Sequence, residues 1–298
     1  MSGALLDDAA AAPRSAAEAR RARLVAAARA LIAHPTALAG FTVVLVLAVV
    51  ALAAPLLARQ DPDLPHLALR LAAPDARRWL GTDELGRDIF ARLIYGSRVT
   101  LAVAVVVALA VPPVGLAVGC TAGFFGGIAD AVLMRVADVF LAFPRLILAL
   151  ALVAAMGPGI WHAMLAIALA AWPPYARLAR AETLALRGRE FIAAARLAGA
   201  SPGRLLVRHI APLCLPSLVV RASLDMAGVI LTAAGLGFLG LGAAPPTAEW
   251  GAMIAAGQRF MLDQWWVAAA PGVAIAVAAL GFNLLGEGLR DLLDPRQR

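Results

Sequence analysis

The chain has 298 residues, of which 62% are apolar types and only 15% are charged. Its mean hydropathy of +0.83 excludes an ordinary soluble domain, because such a chain has too few polar groups to cover itself in water. The formal charge of +7 does not point to nucleic acid: the basic residues lie between apolar runs rather than along one face, which is the pattern of topology signals.

All 26 basic residues are arginine. A nucleotide-hydrolysing phosphate loop needs a lysine on the β- and γ-phosphates, so this chain cannot carry a standard one. ATP-driven work would have to reach it from another chain. Residues 1–35 are rich in Ala and Arg, and the apolar run after them is too long for a signal core, so no cleavable signal peptide is expected.

A helix needs roughly 20 apolar residues to cross a bilayer. The first run, residues 36–57, carries no charge. The second, 99–125, contains Pro112 and Pro113, which are expected to kink it. Further runs follow at 139–156, at 160–178 with Pro173 and Pro174 near its end, at 213–236 and at 266–286. Six helices give an all-α integral membrane protein with both termini on one side. With the N-terminus inside, sixteen arginines fall in cytosolic segments and eight in external ones, which places both termini in the cytosol. Trp161, Trp172, Trp250, Trp265 and Trp266 fall near predicted helix ends, where an aromatic belt is expected.

Within the spans, Gly119 and Gly123 form a GxxxG pair continued by Gly127, a face on which helix backbones can approach closely in lipid. Arg145 lies near the cytosolic end of the third run and can snorkel. Arg221 and Asp225, four apart on the fifth, can pair across one turn. With so few ionisable groups at depth, ion-coupled transport has little to work with, and no inverted repeat marks a secondary transporter. Spans interrupted by proline and glycine suit a moving bundle better than a membrane-anchored scaffold.

Several patterns invite other readings. Gly235, Gly237 and Gly240 spell GxGxxG, but a dinucleotide site needs a strand before it and a helix after it; here the glycines end a span and read as close packing. Asp83, Glu84 and Asp88 lie among Gly81 and Gly86 and are expected to cap and turn a short external helix rather than hold an ion. The histidines, His34, His66, His162 and His209, have no metal-ligand spacing. Cys120 and Cys214 read as small membrane-buried thiols.

The most informative stretch is residues 175–212, YARLARAETLALRGREFIAAARLAGASPGRLLVRHIAP. Seven arginines and several apolar residues alternate at near-helical spacing, and residues 199–203 break the pattern. Two readings stand: an interfacial amphipathic helix on anionic lipid, or a docking element made of a short helix with an exposed apolar side, a glycine turn and a second helix.

This stretch resembles the EAA loop of ABC importer permeases: Glu-Ala-Ala, three residues, Gly, and Pro thirteen residues on. Ala194 and Ala195 match the alanines, Gly199 the glycine and Pro212 the proline, while Ala193 replaces the glutamate and Glu190 lies one turn earlier. Residues 81–101 (GTDELGRDIFARLIYGSRVTL), 236–251 (LGFLGLGAAPPTAEWG) and 286–295 (GEGLRDLLDP) are similar to the C-type subunit of the dipeptide, oligopeptide and nickel branch. Arg135, Asp138 and Pro144 fit its spacing before the third span. The signature positions include Gly81, Asp83, Gly86, Arg87, Asp88, Gly240, Gly242, Pro245, Pro246, Trp250, Gly251, Arg290, Asp291, Asp294 and Pro295.

The resemblance implies a type I ABC-importer transmembrane domain with six helices in the cell inner membrane. Its parts would be a cytosolic N-terminal segment (1–35), a first transmembrane helix (36–57), an external loop (58–98), a permease core (99–286) containing a coupling loop (179–212), and a cytosolic tail (287–298). It also implies a B-type permease partner, two ATPase subunits, an external solute-binding protein and contact with membrane lipid, but no nucleic acid. ATP and Mg would sit on the ATPases, and this chain would bind no metal and perform no covalent chemistry. The coupling residues would be Glu190, Ala194, Ala195, Gly199, Ala200, Ser201 and Pro212, with the path lined by the second to fifth spans. Peptides lead as substrate, and nickel follows because PPTAEWG fits nickel members equally well.

Overall fold

The computed structural model describes residues 31–58 and 60–293. Among these residues there is no strand. The helices are α1 (Pro35–Leu52), α2 (Ala54–Leu57), α3 (Ile89–Phe125), α4 (Gly127–Leu141), α5 (Arg145–Met156), α6 (Ile160–Ala171), α7 (Pro173–Leu186), α8 (Glu190–Leu197), α9 (Pro202–Phe238), α10 (Trp250–Gly257) and α11 (Trp266–Leu293). The all-α reading holds, and with no strand before Gly235 the dinucleotide pattern has no βαβ unit to sit in.

Among the described residues, four helices are long and apolar enough to cross a membrane: α1, α3, α9 and α11. A fifth span arises if α4 and α5, bent by 91° at their junction, count together. The six apolar runs therefore do not each become one helix. The third run straddles the α4–α5 bend at Pro144. The fourth divides at Trp172 into α6 and α7, because Pro173 and Pro174 lack the N–H groups that would continue a helix and instead begin a new one.

Helix α3 starts at Ile89, ten residues before the apolar run that was expected to define it. At 37 residues it is about 55 Å long, well beyond a hydrocarbon core of about 30 Å. Its N-terminal turns, with Arg92 and Arg98, read as loop only because they are charged. Asp88 caps it, accepting from Phe90 N at 3.3 Å, and the helix runs unbroken through Pro112 and Pro113.

Small residues hold the bundle together, as expected where lipid gives helices no hydrophobic reason to associate. The ridge on α3 is Gly115, Gly119 and Gly123. A Cβ on Gly119 would stand 2.1 Å from Ala176 O of α7, and one on Gly115 would stand 2.3 Å from Tyr175 Cβ. Gly127, expected to extend this ridge, has nothing within 4 Å, because α3 ends at Phe125 and the chain turns away. Gly40 of α1 meets the backbone of Leu285 on α11 in the same way. The larger core gathers α3, α5, α6, α7 and α9 around residues such as Val107, Ile167, Tyr175 and Leu218. A smaller one joins Ile89, Ile230, Trp250 and Ile275.

Candidate functional site

The segment after α7 folds as two helices around a glycine turn. Arg189 is extended, and α8 then runs for eight residues with Glu190 in its first turn, where a carboxylate favours the positive end of the helix dipole. The helix stops at Gly199, whose φ is +84°. Gly199 N donates to Arg196 O at 3.0 Å and Ala200 N to Ala195 O at 3.1 Å, the paired closing bonds of a left-handed C-terminal cap. A side chain at 199 would have open space around it, so what demands glycine is the backbone angle. Ser201 then caps α9, accepting from Arg204 N at 3.4 Å.

Helix α8 rests on the bundle through Ile192, which is fully buried, and packs against the start of α9. Its other side is open: Phe191 is 44% exposed and Leu197 90%, and Ala194 is exposed on the same side. Ala193, at the position of the missing glutamate, is also exposed, as are Glu190 and Ser201, while Ala195 and Ala200 are half-buried. The beginning of α9 is a π-helical stretch, Leu205–Ile210, in which Ala211 N bonds Leu206 O. Pro212 cannot donate to the carbonyl four residues back and its ring crowds that carbonyl, so the wider turns just before it relieve the clash.

Three polar links fasten α7, which leads directly into α8. Arg180 reaches Asp130 of α4 with two bonds of 2.5 and 2.6 Å. Arg177 pairs with Asp138 at 2.5 Å, and Arg187 donates to Gly123 O at 2.9 Å. With the glycine ridge, these make α3, α4 and α7 one unit from which α8 projects. Of the expected Arg135–Asp138–Pro144 trio, Asp138 gains a partner and Pro144 stands just before α5, at its N-cap, while Arg135 is exposed.

Inside the bundle the expected Arg221–Asp225 pair does not form. Asp225 is held by Arg145 at 2.7 Å, and the Tyr175 hydroxyl donates to it at 3.2 Å. Arg145 therefore does not snorkel away. Helix α5 brings it to a half-buried carboxylate, whereas Arg221 is on the exposed side of α9. Where water is scarce, the cross-helix bond is the stronger option.

The opposite end of α3 carries a folded cap. Gly81 and Gly86 take positive φ of 72° and 75°. Asp83 accepts from Leu85 N and Arg87 N and pairs with Arg87 at 2.7 Å. Arg92, 5% exposed, donates to Pro62 O at 2.9 Å, Asp63 at 3.2 Å and Pro246 O at 3.3 Å, joining segments that are far apart in sequence. These acidic residues thus turn and pair. Among the described residues no group of three or more His, Cys, Asp or Glu side chains could hold a metal ion.

The PPTAEWG stretch completes this cap. Trp250 is buried and donates Nε1 to Leu93 O at 3.0 Å, and a Cβ on Gly251 would stand 2.1 Å from Ala234 O. Trp172 is buried as well, so the expected tryptophan belt keeps Trp161 and Trp265, 73% and 63% exposed, and the half-buried Trp266. Gly240 turns the chain with φ of 76°, and Gly242 packs on the Gly237 backbone. At the far end Arg290 and Asp291 lie in the last turns of α11, and Asp294 and Pro295 lie outside the described residues.

Glu249 went unnoticed in the sequence. It is 5% exposed and caps α10 with both oxygens, accepting from Gly251 N at 2.8 Å and Ala252 N at 2.9 Å. Burial pushes its carboxyl above the ordinary value, with the two N–H bonds pulling back. The folded form thus holds the proton more tightly than the unfolded chain does, so stability is lost as pH rises above the ordinary carboxylate range. Thermal midpoints measured across that range should fall for the native chain and fall less steeply for Glu249→Gln; parallel curves would contradict this.

Comparison with known proteins fits this geometry. Residues 115–298 match the family described as binding-protein-dependent transport system inner membrane component. Residues 24–74 match the N-terminal TM domain of oligopeptide transport permease C. A probable D,D-dipeptide transport system permease protein, DdpC of Escherichia coli K12, is 46% identical, covering 88% of each chain. The nickel transport system permease protein NikC of the same strain is 44% identical over 85% of this chain and 91% of its own. The dipeptide permease DppC of Alkalihalophilus pseudofirmus is 40% identical over 88% and 86%.

In fold, the chain resembles one from inward-facing structures of the MetNI methionine ABC transporter. The TM-score is 0.55 at 21% identity, covering 68% of this chain and 97% of that one. The type I importer fold expected from the motifs is thereby borne out. The chain belongs to the family of binding-protein-dependent transport system inner membrane components, as a permease subunit and so a transport component rather than an enzyme.

Proposed function

We propose that this chain forms half of the translocation pathway of an ATP-driven importer for di- or oligopeptides, and that it receives mechanical work from separate ATPase subunits through α8. The observation that carries this reading is α8 itself: an eight-residue helix with Phe191 and Leu197 uncovered, closed by a rigid glycine cap and continuous through α7 with the glycine-packed core. A helix built this way can take a push on its open face and move the bundle as a body. Glu190, Ala194, Ala195, Gly199, Ala200, Ser201 and Pro212 are its coupling residues.

The other half of the pathway is a B-type permease chain, and an external binding protein delivers the solute. The two ATPases bind ATP and Mg. Both termini lie in the cytosol, on the side of α8, consistent with the arginine count. The six-span topology then takes α4–α5 and α6–α7 as the broken third and fourth spans. The peptide assignment rests on the dipeptide names of two relatives; nickel is the second reading, carried by the 44% identity to NikC.

Gly199→Val tests the coupling. A β-branched residue in the left-handed region costs about 1–2 kcal/mol, which displaces α8 or its cap. Dipeptide uptake per ATP hydrolysed by the reconstituted complex should fall by about five- to thirtyfold. Undiminished coupled uptake would count against this role. Nickel uptake by the same vesicles, with no dipeptide uptake, would select the second reading.

A further inference from the structure

The chain's two cysteines lie 94 positions apart in sequence, yet their sulfurs stand 4.0 Å apart where α3 meets α9. Both are free and buried, at 2% and 0% exposure. Thr183 of α7, itself fully buried, donates to Cys120 Sγ at 3.3 Å and stands 3.9 Å from Cys214 Sγ. Three helices thus converge on two thiols and one hydroxyl. We propose that Cys120 and Cys214 form a dithiol site that takes a trivalent arsenical and closes into a covalent staple between α3 and α9.

The spacing suits two sulfurs sharing one soft atom. Two sulfurs about 2.3 Å from one centre, at the roughly 100° angle of a pyramidal trivalent atom, stand about 3.5 Å apart, so the pair at 4.0 Å need close by only about half an ångström. A disulfide would need the sulfurs at about 2.05 Å and a two-electron oxidant. A metal cation is the poorer guest as well: it requires thiolates, whose charge the apolar surroundings disfavour, and it finds only two sulfurs and a hydroxyl.

An aryl arsenical(III) avoids both costs. Its As=O group condenses with two neutral thiols: two As–S bonds form, the As–O bond breaks, and both thiol protons leave with the oxygen as water. Nothing is oxidised or reduced, and the product is neutral with an apolar aryl group. Such a reagent partitions into lipid and reaches the pair as the helices breathe.

The test uses the full chain in lipid nanodiscs with phenylarsine oxide, and needs neither transport nor partner subunits, so its outcome is separate from that of the importer reading. Intact mass should show one phenylarsine oxide added with loss of one water. Both thiols should be protected from maleimide after denaturation, and ethanedithiol should reverse the adduct. Closing the long loop between the cysteines should raise the thermal midpoint. Cys120→Ser and Cys214→Ser should each weaken binding by about a hundredfold or more, since the second thiol acts intramolecularly, and lose the thermal shift. Absence of the adduct from the folded native chain, or thiols that remain open to maleimide, would overturn the proposal. So would equal retention by either single-thiol variant.

Discussion

A leucine at position 119 is expected to prevent the permease from folding stably. The Cβ alone would stand 2.1 Å from Ala176 O and 2.8 Å from Ala179 Cβ, and the nearer of these is backbone. Over-packing usually costs about 1–3 kcal/mol when side chains can shift. Here α3 and α7 must separate, which also strains the Arg187 bond to Gly123 O and disturbs the Thr183 contact with Cys120. The yield of monodisperse protein in detergent and its thermal midpoint should both collapse for Gly119→Leu. Gly272→Leu is the control: it lies within α11, takes no left-handed angle and has nothing within 4 Å, so its midpoint should stay close to native. Equal behaviour of the two variants would show that the α3–α7 glycine ridge does not hold the bundle.

The consequence for transport follows from chain order. Helix α7 is the only covalent route by which α8 reaches the bundle from its N-terminal side, and α7 is fixed to α3 by glycines and to α4 by Arg177 and Arg180. Displacement of α8 is therefore carried directly to α3, whose other end is tied by Arg92 to the cap at residues 62–63 and 246. One continuous set of rigid contacts joins the ATPase-facing side proposed here to the opposite end of the molecule.

Much of this was legible in the sequence because it depends on local chemistry. Long apolar runs without charge specify spanning helices. Where a run divides is not specified as well: Pro144, Pro173 and Pro174 stand at breaks, whereas Pro112 and Pro113 lie inside an unbroken helix. Residues 199–203 announce the turn after α8, since glycine and proline act on their own backbone. Contacts between distant segments were not legible. Arg221 looked like the partner of Asp225 because it is one turn away, yet Arg145, eighty positions off, takes that place once α5 is packed. The glycine face was displaced by one step, from Gly127 to Gly115, because spacing cannot say where α3 ends. Helix α3 itself looked ten residues too short, since Arg92 and Arg98 resemble loop until its first turns are seen to stand clear of the apolar span. Glu249 gave no signal beyond a single acid before Trp250, and the meeting of Cys120 with Cys214 needed the crossing of two helices to be known.

The central claim is that α8 receives the work of ATP hydrolysis on its open side. Phe191→Asp combined with Leu197→Glu places two charges on that face while leaving the buried Ile192 anchor, the Gly199 cap and the glycine ridge unchanged. Exposed substitutions of this kind alter stability by only about half a kcal/mol, so the isolated chain should melt as the native one does. The decisive measurement is ATP-dependent peptide uptake by vesicles containing the complete complex, with recovery of ATPase subunits on affinity-purified permease as the companion reading. Burying two unpaired charges against a partner is severely unfavourable. The account predicts that the ATPases dissociate and that uptake falls at least about tenfold, the equivalent of about 1.4 kcal/mol of lost association. Native uptake with full ATPase recovery would contradict it.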